Sequence, residues 1–230
     1  MTREAVQASV ERIRRELAEA SEGRYPAPRL IAVTKTRTPE EILPLREMGI
    51  TEIGENRVQE LKSKLPEIGG AFRIHLIGRL QRNKVRQIIG DVDMIQSVDS
   101  VPLAEEISLR AVNAGRRMDV LAEISPAGEA QKGGVPMEET ERFLRQIAPL
   151  EGIRVKGLMA VMPLTEDEAY LDGLFAGMRQ LFESMRDAAV PGTEITELSM
   201  GMSGDYRLAA RHGATVVRVG SAIFGPREYR

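Results

Sequence analysis

The chain has 230 residues, 42% of them hydrophobic and 29% charged, with a formal net charge of -2. That suffices for one full core and gives no global pull toward nucleic acid or anionic membranes. The absence of cysteine excludes a disulfide framework, a thiol nucleophile and a zinc–thiolate site, and two histidines are too few for an ordinary transition-metal cage.

Val6, Val10, Ile13 and Leu17 recur at helical spacing among Arg and Glu, which predicts an amphipathic helix over about 2–22. Leu30 to Lys35 follows as a β-prone apolar strand that runs into a lysine and is broken by Thr36 to Pro39. Thr38, Pro39 and Glu41 form a capping box for a short helix carrying Ile42, Leu45 and Met48, which Gly49 terminates. Ile50 to Ile53 is the second strand. The next helix carries Val58, Leu61 and Leu65, and Pro66 to Gly70 closes it. Phe72 to Ile77 is a third strand and Leu80 to Ile89 a helix. Val92 to Ile95 is the fourth strand, followed by a helix from Val101 to Asn113. The fifth strand is Met118 to Ile124, with a helix near Met137 to Ile147. Ile153 to Met159, Glu194 to Leu198 and Ala214 to Val219 complete the strands. The helices after them lie at about 166–188, at 203–212 and after Ser221.

Eight strands alternating with eight helical segments is the count of an α/β, (β/α)8 TIM barrel, here one domain over 1–230 with the N-terminal helix packed on it. An open doubly wound sheet would carry a glycine fingerprint after its first strand, and none is present. No apolar run approaches the ~18 residues of a membrane span, and the charged N-terminus lacks a signal peptide's apolar stretch. A cytoplasmic protein with no membrane or nucleic-acid partner is expected.

In such barrels chemistry sits at the C-terminal strand ends. These carry Lys35, Glu55 and Asn56, His75 with Gly78, Ser97 with Asp99, Ser125, Met159 with Met162, Ser199 with Ser203, and Gly220 with Ser221. A lysine at the mouth of a buried strand is costly to keep charged, so it finds a partner in space or acts as a neutral nucleophile. Leu198 to Ser203 and Gly220 to Gly225 are either capped turns or the phosphate cradle that follows the last two strands of this fold. Arg218 interrupts an apolar strand on the face of Val216 and Gly220 and must meet an acceptor, either a carboxylate such as Glu197 or a ligand. His75 is a hydrogen-bonded interior residue or a ligand contact. His212 ends a helix, where a cation suits the dipole. Arg79, Arg82, Lys84 and Arg86 read as a solvated face. An amine beside a phosphate cradle suits an aldehyde with an anionic tail, and Lys35 is read as the Schiff-base lysine of pyridoxal 5'-phosphate (PLP).

A family resemblance rests on Ala32 to Lys35, Gly54 to Glu60, His75 to Gly78 with Leu80, Gln81, Asn83 and Lys84, Gly157 to Ala160, Leu198 to Ser203, and Val217 to Gly225. Across almost the whole chain and in the same order, these closely resemble the PLP homeostasis protein family, which is similar to the barrel domain of alanine racemase (fold-type III). The resemblance implies that Lys35 is the aldimine lysine. It also implies that Ser199, Gly220 and Ser221 hold the phosphate, that Arg218 faces the pyridine nitrogen, and that Val33, Asn56, His75, Met159 and Met200 line the ring. Arg57 stands where the family more often has tyrosine, and Leu76 where it often has phenylalanine. The resemblance further implies a protein that buffers PLP for apoenzymes and maintains vitamin B6 and amino-acid balance without robust catalysis; a monomer or weak dimer is expected. Alanine racemase uses a tyrosine base from a second domain. With the sequence reaching Arg230 just after the barrel closes, no such domain is expected, and Tyr170, Tyr206 and Tyr229 are unplaced as substitutes. A racemase-like PLP enzyme and a non-PLP barrel enzyme for a phosphorylated metabolite remain the alternatives.

Overall fold

The structure, a computed structural model, describes residues 2–128 and 133–226. The Thr2 hydroxyl accepts the Ala5 N–H at the start of α1 (Arg3–Ser21). Its apolar stripe of Val6, Val10, Ile13 and Leu17 is buried against the body of the protein. Arg12 on this helix donates to the Tyr206 hydroxyl at 3.2 Å and to the Ala222 carbonyl at 3.3 Å, tying α1 to two late segments of the chain.

The strands are β1 (Arg29–Val33), β2 (Glu52–Glu55), β3 (Arg73–Leu76), β4 (Met94–Val98), β5 (Met118–Ser125), β6 (Val135–Pro136), β7 (Ile153–Ala160), β8 (Thr193–Ser199) and β9 (Val216–Val219). All pairings are parallel, in the order β4-β3-β2-β1-β9-β8-β7-β5, and a β4–β5 pairing closes the ring. The two-residue β6 only edges the end of β5. The barrel therefore has the eight expected strands. Between them run α2 (Pro39–Ile42), α3 (Val58–Ile68), α4 (Arg82–Ile88), α5 (Val101–Asn113), α6 (Thr140–Ile147), α7 (Glu168–Asp187), α8 (Tyr206–Arg211) and α9 (Ser221–Phe224).

One local expectation is corrected. The helix expected over Ile42 to Met48 is a single α turn that passes into a 3-10 segment at Leu43–Arg46, because Pro44 has no N–H to continue the α ladder. The helix α3 ends within the expected Pro66 to Gly70 stretch, at Ile68 with Gly69 as its cap. Pro66 sits on the exposed side of the helix, where the carbonyl it leaves without a donor can be solvated.

Closure gives every strand an inside and an outside, and the register sorts the residues. Ile31 pairs with Arg218, Gly54 with His75, His75 with Met94, and Met159 with Ser199, and paired residues share a face. The outer set packs with the helices in one continuous core. Inside, Met94, Leu121 and Met159 form a separate buried apolar cluster, so the lumen is filled with side chains. At the base, Arg29 bridges Glu52 at 3.3 Å and Glu197 at 2.8 Å, tying β1 to β2 and β8. Among the described residues no helix is long and apolar enough to cross a membrane, and no cluster of three or more His, Asp or Glu side chains could hold a metal ion.

Ile13 is fully buried beneath α1, so Ile13→Ala is expected to lower the unfolding free energy by about 2–5 kcal/mol, read from chemical denaturation. A loss well under 1 kcal/mol, roughly the effect of a surface substitution, would mean that α1 is not part of the cooperative unit.

Candidate functional site

Alternation along β1 points Ile31 and Val33 into the lumen and Ala32 and Thr34 toward the helices. Lys35 follows in the turn after β1 and is half-buried at the mouth. On the β9 side, Gly220 lies beside Val33, two residues before Lys35. A Cβ there would come within 3.3 Å of Val33 Cβ and the Val33 carbonyl, so any side chain would crowd this end of β1. The same turn is pinned to α9 by Arg37, whose guanidinium lies 5.1 Å over the Phe224 ring and donates to the Gly225 carbonyl at 3.4 Å.

The two glycine-serine loops meet at the start of α9. The N–H groups of Gly220 and Ala222 converge on one acceptor, Ser203 Oγ, at 3.1 and 3.2 Å. Gly201 makes the approach possible. It has φ +95°, and a Cβ on it would sit 2.5 Å from Ala209 Cβ on α8. Convergent backbone donors at a helix start suit an anionic oxygen.

Below the mouth a polar chain crosses the lumen. Arg218 donates to Ser199 Oγ at 2.6 Å and to the Ala160 carbonyl at 2.8 Å. Ser199 donates to Gln96 Oε1 at 2.7 Å, and the Gln96 amide meets His75 Nδ1 at 3.0 Å. His75 Nε2 lies 3.1 Å from Glu52 Oε2. Burial pushes the Glu52 carboxyl up, but His75, Arg29 and Arg73 outweigh it and hold the group below its ordinary value. Burial draws the Arg218 guanidinium down to about 10 against the opposing charges of Glu123 and Asp205, so it stays a cation at neutral pH. Glu197, the carboxylate considered for Arg218 from sequence, is held by Arg29 and the Thr215 hydroxyl instead.

Opposite Lys35, on the β3–β5–β7 side, a cavity of about 380 Å³ is lined by Ile77, Arg79, Glu123, Ser125, Val161 and Met162. Burial raises the Glu123 carboxyl to about 7. Asp99 adds to the rise, while Arg218 and Arg79 oppose it.

The structure brings Val33, Lys35, Gly220 and Ser221 to the same end of the barrel, and Asn56 ends the neighbouring β2 with a buried Oδ1 that has no hydrogen-bond partner among the described residues. Met159 and His75 lie deeper in the lumen. Two expected contacts are placed elsewhere. The Ser199 hydroxyl turns into the lumen, away from the Gly220 loop, because the register puts residue 199 on the inner face with Arg218. Met200, one residue on, takes the outer face and is buried in the sheet–helix core. Leu76 is also in that outer core, so its substitution for phenylalanine leaves the lumen untouched, and Arg57 is exposed at the start of α3. His212 meets Asp172 at 2.8 Å and stacks on Phe175, consistent with its structural reading. The Tyr206 hydroxyl is bound to Glu16 and Arg12, Tyr170 is exposed, and Tyr229 lies outside the described residues. Sequence reading put Ser203 in the candidate cradle without showing it as the acceptor at the loop junction, and it missed Glu123 in the cavity. Glu123 carried a signal, since it interrupts an apolar strand just as Arg218 does.

Residues 4–228 match the family model described as alanine racemase, N-terminal domain. The chain is 37% identical over 224 residues to the pyridoxal phosphate homeostasis protein of Aquifex aeolicus, covering 96% of each, and 35% identical over 210 residues to that of Synechocystis, covering 88% of this chain and 93% of the relative. Among solved structures it is similar to PipY of Synechococcus elongatus with PLP bound, with a TM-score of 0.81 and 34% identity over 93% of this chain and 100% of that one. Alanine racemase of Clostridium difficile shares the fold, with a TM-score of 0.75 at 15% identity over 96% of this chain and 60% of the other.

The Glu123 carboxyl, ordinarily near 4.5, is raised in the folded protein to about 7. Its stabilising contribution is therefore complete below about pH 4.5 and is lost as pH rises through about 7. Glu123→Gln is expected to gain stability relative to the parent between pH 5 and pH 8, by up to about 3 kcal/mol. Denaturation midpoints across that range read this directly, and a pH-independent difference would contradict the shift.

Proposed function

Because the chain belongs to the pyridoxal phosphate homeostasis protein family, within the alanine racemase N-terminal domain family, we propose that it binds PLP at the Lys35 mouth. In this reading it is a cytoplasmic carrier, monomeric or weakly dimeric, that buffers the cofactor and passes it to PLP-dependent apoenzymes. The observation that carries the reading is the approach of two groups at the end of β1. Lys35 lies two residues after Val33, which borders the Gly220 position, and Gly220 and Ala222 aim their N–H groups at one oxygen acceptor.

The residues present fit the group. A phosphate oxygen is the same kind of acceptor as Ser203 Oγ, and the missing side chain at Gly220 leaves room for it beside Val33. Asn56 Oδ1 is a buried acceptor with capacity to spare. When bound, PLP supplies an aldehyde that an unprotonated amine captures with loss of water. Lys35 provides that amine from a half-buried position at the mouth. Gly220, Ala222, Ser203 and Ser221 hold the anionic end, and Val33 and Met159 offer apolar surface to the ring. Arg218 remains protonated and donates hydrogen bonds, so toward a ring nitrogen it acts as a donor and leaves that nitrogen without a proton of its own. That weakens the electron withdrawal on which amino-acid chemistry depends, which supports a carrier over an enzyme.

The purified protein incubated with PLP is expected to be yellow. Borohydride reduction followed by peptide mass mapping should place the label on Lys35, and Lys35→Ala should abolish the colour while keeping the fold. Ser203→Ala should weaken PLP binding roughly tenfold, the worth of one charge-assisted hydrogen bond. A wild type that stays colourless would overturn the reading, and robust turnover of a D- or L-amino acid dependent on Lys35 would overturn the carrier role.

A further inference from the structure

On the outer face of the same strand end, we propose that Lys64, Glu60 and Glu55 form a clamp that positions Lys35 by gripping the backbone on both sides of it. This rests on the reading of Lys35 as the residue that captures the cofactor, and it adds a set of residues that never touch the cofactor. Lys64 Nζ donates to the Thr34 carbonyl at 2.8 Å, to Glu55 Oε1 at 2.8 Å and to Glu60 Oε1 at 2.7 Å. Three acceptors match the three N–H donors of an ammonium group. The Thr34 hydroxyl closes the inner side of the network with a 2.6 Å bond to Glu55 Oε1. Glu60 reaches past Lys35 and accepts the Thr36 N–H. The peptide before Lys35 and the amide after it are thus both tied to one buried cation.

The grip acts at a conformation that needs one. Thr36 has φ 66°, the left-handed region that a β-branched residue enters only when its surroundings over-determine it. The network is also out of water. Glu55 is fully buried and Lys64 is 5% exposed, whereas the other lysine of α3 within its first two turns, Lys62, is exposed and pairs with Asp91 at 3.2 Å. A buried ion pair is poor value as a source of stability alone, since an apolar pair of similar volume often serves as well. Here its carboxylates and ammonium hold backbone groups that an apolar pair would leave unpaired. Because capture of an aldehyde requires the amine to arrive in one orientation, loosening this turn slows capture without removing the amine.

Glu60→Ala tests the clamp, since Glu60 is partly exposed and its loss leaves the Lys64–Glu55 pair intact. Glu60→Gln, which keeps an acceptor oxygen, is the rescue variant, and Lys62→Ala is the control. In the protein without PLP, Glu60→Ala should speed hydrogen–deuterium exchange of the amides at 35–37 roughly tenfold, the loss of one hydrogen bond to a charged group. The rate at which borohydride traps PLP on Lys35 should fall by a similar factor. Both effects should be largely reversed in Glu60→Gln and absent in Lys62→Ala. Unchanged exchange, or the same change in Lys62→Ala, would overturn the clamp, and faster exchange with unchanged capture would overturn its positioning role. A wild type that traps no PLP on Lys35 would instead overturn the function proposed above, while the exchange measurement would still decide whether the turn is held by Glu60.

Discussion

The closing pair between β4 and β5 gives each strand a lumen face and a helix face, and the placement of every polar group discussed above follows from that division. At the end of β1 the division falls between adjacent residues. Thr34 belongs to the helix face and joins Glu55 and Lys64, while the next residue, Lys35, belongs to the mouth. The same alternation explains why Ser199 and Met200, neighbours in sequence, have unrelated surroundings.

The lumen combines an apolar floor with a buried cation. Met94, Leu121 and Met159 fill part of the space, and Arg218 is left to find acceptors among its own strands. It finds a hydroxyl and a carbonyl rather than a carboxylate partner at hydrogen-bond distance, and the carboxylates of Glu123 and Asp205 act on it through space. A cation held by neutral acceptors keeps its charge available to whatever approaches from the mouth. A tight ion pair would have hidden it.

Much of the fold was legible because its signals are local and repeated. Strand-length apolar runs alternate with 3.6-periodic segments, and a capping box at Thr38 marks where the first loop ends. Lys35, Arg218 and Gly220 stood out because each breaks a local pattern at a strand end. The misses were residues whose meaning depends on a face. Ser199 and Ser203 look equivalent in sequence, and only the register shows that one enters the lumen while the other meets the Gly220 loop. Lys64 carried a readable clue, since it falls three residues after Leu61 and four before Ile68 on the buried stripe of α3. A charged residue on that stripe has to be paired inside the protein. Its partners, the Thr34 carbonyl and the carboxylates of Glu55 and Glu60, could not be read from sequence.

The ties made by Arg12 extend the cradle beyond the barrel. From one residue of α1 they reach Tyr206, just after the Met200–Ser203 loop, and Ala222, whose own N–H serves the junction. The first helix is thus a brace across the two loops that meet at Ser203. Fusing a bulky partner to the amino terminus, or trimming the opening turns to tidy an expression clone, would be felt some two hundred residues away in how well the amides that converge on Ser203 stay aligned.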